Sequence, residues 1–223
     1  MVKIISVCHT SVPASVSRQL PPRIPTSPEN VKEKIVKLRS SAAPGPDRIC
    51  PRVLQAVVDS IALPLSILYT RSLSEGVVPE DWRRANVPPV FKKGSKCVAG
   101  NYRPVSLTCI LCKVMESILR DAITSHLANH KLINPSQHGF MAHKSCLTNL
   151  LEYLEALHKL VDEGHNIDIV YCDFAKAFDK VPVRRLLVVM EAHGITGKVL
   201  EWVEKWITGR KQRVVVNGKM SEW

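Results

Sequence analysis

Aromatic side chains are scarce in this 223-residue chain, at 5% of residues, so a core drawn from its 45% hydrophobic content is expected to be aliphatic, Leu, Ile, Val and Ala with Met as filler. Long apolar runs are missing altogether. None approaches the ~18 residues of a membrane span, and the apolar stretch within Met1–His9 is too short for a secretory signal. Paired cysteines are missing too. The seven fall at positions 8, 50, 97, 109, 112, 146 and 172, an odd, scattered set that reads as reduced thiols, not a disulfide framework. The expected setting is therefore intracellular, nucleus or cytoplasm, with no secretion and no membrane. Acidic residues are in short supply, 20 against 31 Lys and Arg, for a net charge of +11. Such an excess suits a polyanion, nucleic acid before a membrane surface. A basic protein that is merely soluble fits the charge equally well.

What is present reads as helices with short strands, an α+β pattern. Residues 1–27 carry Pro13, Pro21, Pro22 and Pro25 among Ser and Thr without apolar periodicity, and are expected to be a linker or remnant. Ser27-Pro28 reads as N-cap and first helical residue of a helix running to about Ser40. Ala43-Pro-Gly-Pro-Asp47 is a rigid turn, and Pro51 opens a second helix that Pro64 is expected to kink. Ala85 to Phe91 reads as a strand that Pro88 and Pro89 make an edge or broken one. The clearest helix runs from Ile110 to about His130, and another spans about 147–162. Ile167 to Cys172 is a β-favouring run of the kind covered on both faces. Helices at about 183–193 and 198–208 precede a strand, Gln212 to Val216, that enters an Asn217-Gly218 hairpin turn.

Cys109-x2-Cys112, followed by His126-x3-His130, has the spacing of a zinc site. The helical stripe from Ile110 to Leu127 argues against one. In a continuous helix Cys112 and His126 stand ~21 Å apart at 1.5 Å per residue, far beyond metal–ligand bonds of ~2.0–2.3 Å. Core thiols and helix-end histidines are the expected reading, with no zinc.

The segment Ile167-Asp-Ile-Val-Tyr-Cys-Asp-Phe-Ala-Lys-Ala-Phe-Asp179 places Asp173 at the end of the β-favouring run. A carboxylate there is costly unless it is solvated, caps a helix or binds a cation, and residue chemistry alone leaves these open. Asp173-Phe-Ala-Lys-Ala-Phe-Asp179 resembles the first palm motif of reverse transcriptases from non-LTR (LINE-type) retrotransposons. Trp82 to Gly94, Asn101-Tyr-Arg-Pro-Val-Ser-Leu107 and Ser136-Gln-His-Gly-Phe140 resemble that family's fingers motifs, in order. Ala43-Pro-Gly-Pro-Asp47 resembles its upstream turn, where the family usually has Gly after the Asp and this chain has Arg48. The likeness is strongest to the jockey-like, chicken-repeat clade.

This resemblance implies a right-hand polymerase, with fingers over about residues 28–165 and the start of a palm over about 166–223. Asp173 would be the catalytic, metal-binding carboxylate, with the carbonyl of Phe174 a further ligand. Phe178 resembles the steric gate beneath the incoming sugar, against the alternative of a core aromatic. Lys92 or Lys93, together with Arg103, would grip the triphosphate, where solvated edge-strand cations are the alternative. Gln137, Gly139 and Phe140 match a loop bracing the template side. Implied partners are an RNA template, a DNA primer and deoxynucleotide triphosphates, and the implied cofactor is Mg²⁺. The family's Asp-Asp motif has no counterpart, since no Asp follows Asp179, so the domain is expected to be truncated before that motif and the thumb. Three readings follow: a truncated reverse transcriptase inactive alone, a non-catalytic nucleic-acid-binding remnant, or a fragment of a decayed element without function.

Overall fold

A computed structural model describes residues 19–21, 23–174 and 176–223. Ser27 caps the first helix, α1 (Pro28–Val36), its hydroxyl accepting from the Asn30 amide, and Val31 and Ile35 are fully buried one turn apart. The helix stops four residues short of Ser40. The second helical stretch divides at Val57, not at Pro64: α2 (Pro51–Ala56) ends where Val57 leaves helical geometry, and α3 (Val58–Glu75) continues through Pro64 to a left-handed Gly76. α4 (Ile110–Asn129) runs unbroken as the stripe requires. α5 (Cys146–Asp162) opens on a reciprocal capping box between Ser145 and Thr148. α6 (Val183–Ala192) and α7 (Gly197–Ile207) follow.

The proline pair splits its strand into β1 (Arg84–Val87) and β2 (Pro89–Phe91), since a proline cannot donate to a ladder. β2 forms a two-stranded ribbon with β3 (Tyr102–Pro104). β1 enters a four-stranded sheet ordered β4-β1-β5-β6, with β4 (Leu107–Thr108), β5 (Lys211–Val216) and β6 (Lys219–Met220). β1 is antiparallel to β4 and parallel to β5. Asn217 and Gly218 both have positive φ, 50° and 77°, as the tight turn between β5 and β6 demands.

The core gathers α1, α3, α4 and α7 around Ile35, Tyr69, Met115, Ile118 and Trp202. An aliphatic expectation needs correcting here. Three aromatics join the aliphatic side chains inside: Trp202 and Tyr69 are the largest fully buried side chains, and Tyr69 meets Trp82 edge-on at 5.7 Å. Each polar end has a partner, Tyr69 donating to the Leu111 carbonyl and the Trp202 indole to Ser72 Oγ at 2.8 Å. Residues 1–18 lie outside the described residues, but Leu20 and Ile24 of the stretch expected as linker are core residues. The Leu20 amide donates to the Gly194 carbonyl.

The Ile167–Asp173 run is the second correction. It forms no strand; it is irregular, with Val170 and Tyr171 more than 80% exposed. A run apolar on both faces pairs only where a sheet edge and cover on each face are available. Here β4 and β6 form the sheet's edges, and neither pairs with it.

Candidate functional site

Chemistry-bearing residues gather in three places. The first is the β2–β3 ribbon. Its register sets Val90 opposite Arg103 and Phe91 opposite Tyr102, and the Lys92 amide continues the ladder to the Asn101 carbonyl at 2.9 Å. Lys92 therefore shares a face with Arg103 as a diagonal neighbour, a separation of about 7–8 Å in such ribbons, while Lys93 lies just beyond the paired residues. On the other face Phe91 and Tyr102 stack edge-on at 5.5 Å, and the Lys96 ammonium lies 5.7 Å from the Phe91 ring centre. No Asp or Glu occurs from Trp82 to Met115. Lys92, Lys93, Lys96 and Arg103 have no carboxylate partner among the described residues. Four unneutralised cations on and beside so short a ribbon give it a positive surface potential.

The second place is the 134–144 loop. Asn134 starts it as an Asx turn, accepting from the Ser136 amide, and Gln137 Nε2 donates to the Gly139 carbonyl. His138 is buried between the Ser136 carbonyl, 3.1 Å from Nδ1, and the Glu152 carboxylate of α5, 3.3 Å from Nε2. Lys144 closes the loop onto the Pro135 carbonyl. Phe140, at a positive φ of 62°, is held almost fully out in solvent. Sequence reading passed over His138; its place between Gln137 and Gly139 was the available signal.

The third is the segment around Asp173. The Asp173 carboxylate is exposed and makes no hydrogen bond or ion pair among the described residues. Phe174 and Phe178 are about four-fifths exposed. Tyr171 is tethered to α5, its hydroxyl 2.7 Å from that of Tyr153. The turn after Lys176 brings Phe178 edge-on to Phe140, with ring centres 6.0 Å apart. Thus two exposed aromatics from separate motifs meet, while the metal candidate stands alone. No group of three or more His, Cys, Asp or Glu that could hold a metal occurs among the described residues. One solvated carboxylate and a carbonyl do not furnish the octahedral set that Mg²⁺ requires.

Cys109 and Cys112, in the first turn of α4, are core thiols. Burial, with the Asp47 carboxyl beside it, pushes Cys109 up to about 12. Burial does the same to Cys112, whose thiol donates to Glu116. The Ala43–Asp47 turn packs on this junction. A Cβ added to Gly45 would stand 2.5 Å from the Thr108 carbonyl carbon and 2.6 Å from the Cys109 nitrogen.

Residues 90–223, more than half of the chain, match the model of the family described as reverse transcriptase (RNA-dependent DNA polymerase). The chain belongs to the reverse transcriptase family. It is 26% identical over 161 residues to the probable RNA-directed DNA polymerase from transposon X-element of Drosophila melanogaster, covering 72% of this chain and 18% of that protein. It is 24% identical over 198 residues to the RNA-directed DNA polymerase from mobile element jockey of Drosophila funebris, covering 88% and 22%. With the Pol polyprotein from type-1 retrotransposable element R1 of Bradysia coprophila it shares 26% identity over 185 residues, 79% and 17%. The chain thus spans about a fifth of the length of these relatives. It carries part of the reverse transcriptase domain of a non-LTR retrotransposon, as its motifs imply. No helix among the described residues is long and apolar enough to cross a membrane.

Proposed function

We propose that this chain is the nucleotide- and template-holding part of an RNA-directed DNA polymerase and does not extend a primer by itself. The observation that carries this reading is the meeting of Phe140 with Phe178. Residues far apart in sequence, one from the template-side loop and one from the Asp173 motif, converge as a polymerase would need them to. In this reading residues 28–165 are fingers and 166–223 the start of a palm. Lys92 and Arg103, on one ribbon face, hold the triphosphate, where cationic donors suit the charge spread over phosphoryl oxygens. Phe178 lies under the sugar and excludes a 2′-hydroxyl, while Gln137, Gly139 and Phe140 brace an RNA template paired to a DNA primer.

Asp173 contributes one carboxylate toward a divalent ion, Mg²⁺ by resemblance, and the residues present do not complete that site. Two-metal phosphoryl transfer needs ions ~3.5–4 Å apart held by several carboxylates. No further Asp follows Asp179. Positioning and electrostatics supply nearly all the catalysis of such reactions. The test compares three proteins on a primed RNA template: this chain, the chain continued through an Asp-Asp hairpin and thumb from a related element, and the continued chain with Asp173→Asn. Extension is expected only from the second. Magnesium-dependent extension by the first, abolished by Asp173→Asn, would overturn the reading.

A further inference from the structure

We propose that the outward face of the β4-β1-β5-β6 sheet is a second track for single-stranded nucleic acid, gripping phosphodiester groups through Arg213 beside Trp223. Two stretches of the sequence that lack a carboxylate meet here. One is Trp82 to Met115; the other is Lys205 to Ser221, which carries Lys205, Arg210, Lys211, Arg213 and Lys219. The parallel ladder lays one against the other, with Arg84 beside Lys211 and Asn86 beside Arg213. Ala85 and Val87 are buried toward the core, so the alternation of a strand turns Arg84 and Asn86 outward, with their ladder partners.

Arg213 is the centre of this face. Its Cζ lies 4.4 Å from the centre of the Trp223 ring, and its Nε donates to Asn86 Oδ1 at 2.8 Å. These contacts fix the guanidinium plane. Its remaining N–H groups have no acceptor, and it has no carboxylate partner, among the described residues. Arg71, Arg84 and Arg120, by contrast, are each paired with an acid. A planar fork, oriented by stacking and left unsatisfied, is the geometry that binds phosphate with two donors. Arg84 has a supporting part: its Cζ lies 5.4 Å from the same ring, while its donors go to Glu80 and Asp81. Lys211, 3.5 Å from Glu80, shares that acid with Arg84.

The occupant follows from charge and continuity. β1 passes through Pro88 directly into the ribbon that carries Lys92, Lys93, Lys96 and Arg103, and β2 also touches β5. A strand held by the ribbon can therefore continue across the sheet face to Arg213, where the nearby acids Glu80 and Asp81 are already engaged by Arg84 and Lys211. Recognition is of the backbone, so RNA and DNA single strands should bind alike, with affinity governed by salt. The proposal needs no metal, nucleotide or catalysis, and its failure is separable from failure of the polymerase reading.

The test titrates the full chain with fluorescent 15-residue oligo(U) and oligo(dT) across a range of salt. Arg213→Ala is expected to weaken both about five- to tenfold at low salt and to flatten the slope of log K against log salt by about 0.7, one phosphate of a single strand. Arg213→Lys should restore the slope but only part of the affinity. Trp223→Ala, a surface change that removes the platform and leaves the Asn86 bond, should resemble Arg213→Ala, and covers the case in which the latter does not fold. A paired Lys92→Ala/Arg103→Ala change should add to either. Wild-type affinity and slope in both Arg213→Ala and Trp223→Ala would overturn the track. So would anionic-vesicle binding lost in these variants while oligonucleotide binding is unchanged, which would assign the face to a membrane surface.

Discussion

Arg48 follows the Pro-Gly-Pro-Asp turn at a φ of 58°, a left-handed conformation that costs a side chain with a Cβ about 1–2 kcal/mol. Arg48→Gly should therefore raise stability by about 0.5–1 kcal/mol, after the extra entropy glycine gains on unfolding, measured by urea denaturation. Gly45, three residues earlier, predicts the opposite. Its missing Cβ is the space that Thr108 and Cys109 backbone atoms fill, and Gly45→Ala should cost about 3 kcal/mol or more, because backbone on both sides cannot yield. The same junction sets a pH dependence. Cys109 is raised in the fold to about 12, so its contribution to stability is complete below the ordinary thiol range of ~8.5 and is lost as pH climbs from there toward the folded value. Alkylation of the native protein near pH 8 should modify the exposed Cys50, Cys97, Cys146 and Cys172 and spare Cys109 and Cys112. Rapid labelling of Cys109 would show that α4 does not seal its first turn.

Elements were legible in proportion to how locally they are determined. α1 announced itself through Ser27-Pro28, α4 through an unbroken apolar stripe, and the β5–β6 turn through Asn217-Gly218, each a signal held within a few residues. The break of the proline-bearing strand was legible for the same reason. Ile167–Asp173 was misread because strand formation depends on a partner edge, and β propensity records only that a residue would suit one. The core's aromatic content was misjudged because a composition counts residues without locating them, and Tyr69, Trp82 and Trp202 are all interior. Of the candidate site, Lys92, Lys93 and Arg103 were named by the motifs; their placement on one ribbon, set by the β2–β3 register, and the approach of Phe140 to Phe178, set by the 134–144 loop and the turn after Lys176, were not legible. Hydrogen exchange should divide the elements in this way. Amides of α4 between Val114 and Leu119 should exchange at the rate of global unfolding. Those from Ile167 to Phe174 should exchange about as fast as an unstructured peptide, and slow exchange there would mean that the run has found a partner.

At the scale of the molecule, apolar surface is distributed unevenly. The inner faces of the helices around Tyr69 and Trp202 are closed, whereas α5 and α6 have no buried residue and keep Leu147, Leu150, Leu151, Val188 and Val189 largely exposed. A chain with this surface is expected to enhance the fluorescence of an apolar dye while still melting cooperatively through its core; no enhancement would mean that these faces are covered in solution. The parallel pairing of β1 with β5 has a consequence for how the protein is made. Asn86 and Arg213, joined across it, are separated by 127 positions, and Ser72 and Trp202 by 130. During synthesis β1 therefore emerges with one neighbour, β4, and more than a hundred further residues must follow before its other edge is met. Loop closure of that length comes early in the entropic ledger and is repaid only late. A nascent chain halted before Ile195 should accordingly lack a cooperative unfolding transition, because Ile195, Val199, Trp202 and β5 close the core and the sheet edge that the earlier helices and β1 leave open.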